Sequence, residues 1–151
     1  MATVSKVTGG TAGHPSTRRK PYYVENTIDN SLFDPASGDI IQALNVPAET
    51  LVIAAGLEVL TASSSSVTMD LGITGSTAGH HDPDCWVDGY DATGTGLAPM
   101  DAVDAAAMLV VKTADTIDIL TGGAQDTAGK VRVWAVMCDV SGSDETASNS
   151  S

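Results

Sequence analysis

Aromatic side chains are scarce: two Trp, three Tyr and one Phe make up 4% of the 151 residues, so any core must be built mainly from aliphatic groups. Cations are scarcer than anions, with 7 Lys and Arg against 19 Asp and Glu and a net charge of -12, which argues against nucleic acid or an anionic membrane as the main partner. No apolar run reaches the roughly 18 residues that span a bilayer; the longest candidate, Leu51 to Leu60, is interrupted by Gly56 and Glu58. The first residues, Met1-Ala2-Thr3-Val4-Ser5-Lys6, hold no basic stretch followed by an apolar one, so synthesis and folding in a cytoplasm are expected. Two cysteines, Cys85 and Cys138, do not make a disulfide framework and read as small buried thiols.

The charge that is present is divided unevenly. Lys6, Arg18, Arg19 and Lys20 precede the first acid, Glu25, so residues 1–24 carry +4 while the rest holds three cations and all 19 acids, or -16. Thr8 to Thr17 has almost nothing to bury, and residues 1–20 are expected to be a flexible basic arm. Ser141 to Ser151 contains no large apolar residue and reads as a polar tail over 141–151, leaving a folded body at about 21–140.

Within that body apolar residues recur with period two, and helix-length amphipathic stretches are nearly absent. Strands are expected at Pro21 to Asp29, Asp39 to Val46, Leu51 to Thr61, Val67 to Ile73, Cys85 to Tyr90, Met108 to Lys112, Thr116 to Leu120 and Val131 to Asp139, about eight in all. Leu51, Ile53, Ala55, Leu57, Val59 and Thr61 share one parity, with a bend expected at Gly56. Asp101 to Ala107 is Ala-rich and compatible with one or two helical turns. The pattern predicts an all-β antiparallel β-sandwich, jelly-roll-like, with a lower-count immunoglobulin-like sandwich as the alternative.

The succession Asp39 to Ala48, Leu51 to Val59, Asp82-Pro83-Asp84-Cys85-Trp86-Val87-Asp88-Gly89, Ala114 to Ile119 and Thr127 to Ala135 resembles small virion proteins of tailed bacteriophages, capsid-decorating or fibre-associated β-sandwich modules. The resemblance covers residues 22–140 and is a cadence of strands and turns. It implies a structural role on the particle without saying at which surface; the expected place is the capsid surface, with the major capsid protein as partner.

Several residues invite chemistry. Lys6, Arg18, Arg19 and Lys20 are the candidate anchors of the arm, on an acidic capsid exterior or on neighbouring copies. Asp82, Asp84, Asp88 and Asp91, with Gly89, place oxygen ligands at the short spacing of a calcium loop but lack its closing Glu, so a site would need further ligands. Of the 19 acids only Glu25, Glu49, Glu58 and Glu145 are Glu, and the abundant Asp are equally explained by turns. His80 and His81 stand beside Asp82, Asp84 and Cys85, but adjacent residues of an extended segment point apart. No cofactor is called for, and no nucleophile elbow, His-Glu-x-x-His helix or paired carboxylates mark an enzyme. The alternative to decoration is a carbohydrate-binding or receptor-recognition module of a fibre or tail, with Trp86, Tyr90, Tyr22 and Tyr23 as stacking candidates, although Trp86 and Trp134 are expected to fill the core. Oligomerisation is expected in either case, a trimer before a dimer.

Overall fold

The computed structural model describes residues 20–75, 81–100 and 108–141. Nine strands are present among them: β1 (Tyr22–Asp29), β2 (Ile40–Val46), β3 (Thr50–Thr61), β4 (Val67–Ile73), β5 (Asp82–Asp91), β6 (Gly96–Leu97), β7 (Leu109–Val111), β8 (Asp115–Gly123) and β9 (Lys130–Asp139). A short 3-10 turn, Asn30–Leu32, follows β1, its Ser31 amide donating to the Asp29 carboxylate. The expected helical turns at Asp101 to Ala107, the arm at 1–19 and most of the tail lie outside the described residues.

All pairings are antiparallel and fall into two sheets. One runs β1-β9-β3-β6, with β7 also pairing β3; the other runs β2-β8-β4-β5. Both β6 and β7 pair the same edge of β3, Leu97 opposite Glu58 and Leu109 opposite Val52, so they are two pieces of one interrupted edge strand. Counted that way the sandwich has eight strand positions in two sheets of four, with first and last strands adjacent, which is jelly-roll topology. Eight strands were legible in the sequence; β6 was not, because two residues carry no period.

Alternation explains which side chains meet. Val131, Val133, Ala135 and Met137 of β9, with Ala55, Leu57 and Val59 of β3, face Val67, Met69, Leu71 and Ile73 of β4 and Ile117 and Ile119 of β8, and all are buried. Trp86 of β5 is the largest fully buried side chain. With so few rings available, this single indole fills the space that aliphatic chains leave between the sheets.

The single parity expected along β3 does not hold. Pairing with β9 shifts between Val52 and Ala54, so Thr50 and Val52 are buried before the shift and Ala55, Leu57 and Val59 after it. The parity changes at a bulge at Ile53, a further shift falls between Val59 and Thr61, and the register runs unbroken through Gly56, where a bend or bulge was expected. Another bulge, between Gln42 and Leu44, turns the consecutive Ala43 and Leu44 both inward on the edge strand β2.

Candidate functional site

The strands sort charge as well as apolarity. The β2-β8-β4-β5 sheet carries Asp70, Asp82, Asp84, Asp88, Asp91, Asp115 and Asp118 and not one Lys or Arg. On the other sheet Glu25, Asp29, Glu58 and Asp139 are accompanied by Lys130 and Arg132, which pair with Asp29 and Glu58 respectively. The molecule therefore has one strongly acidic sheet and one nearly balanced one. Crowding is felt at Asp70: burial, with the nearby charges of Asp88 and Asp84, pushes its carboxyl up despite the bond it accepts from the Gly89 amide.

The outer face of the balanced sheet departs from the polar surface that alternation requires. Tyr23 of β1 and Trp134 of β9 occupy diagonal cross-strand positions, their ring centroids 6.4 Å apart and their planes within 14°. Trp134 lies against the backbone of β3 at Gly56, where any Cβ would overlap the indole. Leu97 of β6 is 63% exposed and Tyr23 is 55% exposed. Together with Glu58 and Arg132, which are bonded to each other, these residues line an open basin of about 320 Å³. The Tyr23 hydroxyl donates to Glu25 at 2.7 Å, and that bond, with burial and the Glu25 charge, raises the phenol's pKa. Trp134 was expected in the core and is not there: it shares parity with Arg132, and the register carries both outward.

The other stacking candidates separate. Trp86 is buried and unavailable, Tyr90 packs against the core, and the Tyr22 hydroxyl approaches the Met137 sulfur at 3.9 Å. Only Tyr23 joins the exposed face as expected.

Of the arm residues, Lys20 is exposed just before β1, whereas Lys6, Arg18 and Arg19 lie outside the described residues. Asp82, Asp84, Asp88 and Asp91 are strung along β5 rather than folded into a loop. Asp91 accepts the Thr93 amide at 2.9 Å as a turn residue, and among the described residues no three His, Cys, Asp or Glu side chains are grouped to hold a metal. His81 is bonded through Nδ1 to the Thr74 carbonyl at 3.0 Å, and His80 is outside the described residues. Cys85 and Cys138 are both free and buried, and burial, with Asp82 adding to it, pushes the Cys85 thiol up to about 12, far from a reactive thiolate.

Two carboxylates that the sequence reading did not single out are buried. Asp118 accepts from the Thr74 amide and hydroxyl. Asp126 accepts from Asn30 Nδ2 at 2.7 Å, Ser63 Oγ at 3.0 Å and the Gly129 and Ala128 amides at 2.8 and 3.2 Å. It thus ties the ends of β1 and β3 to the loop before β9. Its only signal in sequence is Asp-Thr-Ala-Gly, which also reads as an ordinary turn.

No family model and no curated protein matches the chain. Three solved structures share its fold. A chain of the cyanophage Pam1 capsid asymmetric unit aligns with TM-score 0.58 and 16% identity over 91% of this chain and 97% of that one. A chain of the capsid of Ralstonia phage GP4 gives 0.55 and 16% over 92% and 90%, and one of the acid-stable capsid of Helicobacter pylori bacteriophage KHP30 gives 0.51 and 10% over 80% and 93%. At these identities the likeness is one of fold.

Proposed function

We propose that this chain is a non-enzymatic virion protein of a tailed bacteriophage, a decoration or cement protein that binds the outer surface of the head. The observation that carries the reading is the jelly roll it shares, over most of both chains, with three chains from phage capsids. The fold alone hosts many functions, so the surfaces must agree with the assignment. What supports it is that the core is packed with aliphatic side chains, that Cys85 is held as a thiol, and that the distinctive surface features are two sheets of different charge.

The arm completes the proposal. Lys6, Arg18, Arg19 and Lys20 supply +4 at one end of a chain whose second sheet carries six carboxylates that reach solvent, Asp118 alone of its seven being buried. An arm from one copy would therefore be drawn to an acidic capsid exterior or to the acidic sheet of its neighbour, and copies would assemble as a closed oligomer, a trimer before a dimer. Such a contact is screened by salt. Deleting residues 1–20 should abolish co-sedimentation with purified heads while leaving the thermal transition of the body in place. Undiminished decoration by the truncated chain would refute the role of the arm, and failure of the full chain to bind heads at all would refute the assignment.

A further inference from the structure

The stacked pair on the outer face of the β1-β9-β3-β6 sheet covers Gly56 on one side and leaves Tyr23 55% exposed on the other. It lies on the side of the sheet away from the core, where solvent-facing strand positions are ordinarily polar. Its geometry is fixed in advance nonetheless: Gly56 lets the indole rest on the central strand, and Tyr23 is held by its bond to Glu25. Rings immobilised before any ligand arrives lose little freedom on binding.

We propose that Tyr23 and Trp134 form a stacking platform for a neutral, ribbon-like oligosaccharide, with Arg132 and Glu58 as its hydrogen-bonding rim. The apolar face of a pyranose ring presents axial C–H groups that suit the electron-rich face of an indole or phenol. Two rings within 14° of a common direction, 6.4 Å apart, match a flat chain of successive pyranoses better than a coiled one. The ligand is neutral because Arg132 and Glu58 already compensate each other and the net charge of -12 repels polyanions. Their bond occupies only part of the hydrogen-bonding capacity of a guanidinium and a carboxylate, and the remaining donors and acceptors are suited to adjacent sugar hydroxyls. The basin of about 320 Å³ lies at the lower end of the range for small-ligand sites. This function goes beyond attachment to a capsid and is tested without one.

The two tryptophans make the experiment direct, since Trp86 is sealed in the core and Trp134 alone reports on the platform. The full chain is titrated with cellohexaose and with chitohexaose while tryptophan emission is followed, with maltohexaose as the coiled comparison. Saturable blue-shifted emission with either flat hexasaccharide is expected, and weaker binding of maltohexaose. Read by calorimetry, Trp134→Ala should abolish binding, and Tyr23→Ala, an exposed position on an edge strand, should weaken it about tenfold. Phe33→Ala, at an exposed ring beyond the far end of β1, should bind as the parent does. No saturable response to either flat hexasaccharide, or unchanged affinity in Tyr23→Ala, overturns the proposal. So does conversion of an oligomer to monomers by Trp134→Ala with no saccharide response in the parent, which would make this face a contact between copies.

Discussion

Asp126 shows how one side chain can hold three segments at once. Burial alone would push its carboxyl up; the bonds from Asn30, Gly129, Ala128 and Ser63 together outweigh it and hold the group below its ordinary value of 3.8. A depressed carboxyl contributes stability that is present above the unfolded value and is lost as pH falls through the lower folded value. Melting temperature should therefore fall on acidification below about pH 4, and more shallowly in Asp126→Asn. Asp126→Ala strands several buried donors and should cost about 3 kcal/mol in urea unfolding at pH 7. Asp70 has the opposite sign. Its raised carboxyl means that the folded state favours the protonated form, so stability declines as pH rises from 3.8 through the folded value. Asp70→Asn, which can still accept from Gly89, should be as stable as the parent at low pH and more stable at pH 7, by at most about 0.5 kcal/mol because the site is screened by solvent. Neither behaviour was legible in the sequence. Asp126 sits in a turn-like Asp-Thr-Ala-Gly that announces only its bonds to Ala128 and Gly129, whereas Asn30 and Ser63 are 96 and 63 residues away and the Gly89 amide that meets Asp70 is 19 residues away.

β9 and β3 show what periodicity can and cannot deliver. The β9 alternation groups Val131, Val133, Ala135 and Met137 on one face, which the structure turns inward, and the opposite parity puts Trp134 outward beside Arg132. Hydrophobicity argued for the core and register argued against it; register decided, because one strand cannot reverse a single side chain without a bulge. In β3 such a bulge exists, at Ile53, and reverses the inward parity with no Gly or Pro to mark it. Gly56, which did attract notice, is required for a different reason: the indole of Trp134 occupies the place of its side chain. Gly56→Ala should force the ring to tilt, costing about 1–2 kcal/mol of stability. Trp134 emission should shift with it, and an unchanged spectrum and melting curve would show that the indole does not rest on the strand. The sequence also displayed the edge strand only in its second piece, since Leu109–Val111 is apolar and β-branched whereas Gly96–Leu97 is recognised only through its pairing with β3.

The whole molecule is a jelly roll with an acidic sheet, a nearly balanced sheet bearing exposed rings, and a basic stretch before its first strand. Its class and most strand positions could be read from alternation and turn residues, and the net charge from composition. The separation of charge between the two sheets could not, because it arises from strand order: β8, and the cation-free β2, join the consecutive β4 and β5 only in the folded sheet, while Lys130 and Arg132 go to the other. If copies assemble as proposed, a like-charged body needs its attachment to come from the balanced face or from the arm, and salt should weaken the arm's share. The central claim, a structural component of the phage head, is tested most directly by counting copies of the chain in purified heads freed of tails, by quantitative mass spectrometry. The account predicts a number on the order of hundreds, in a fixed ratio to the major capsid protein, as a symmetric shell demands. Its absence from the heads, or a handful of copies that depart with the tails, would contradict it.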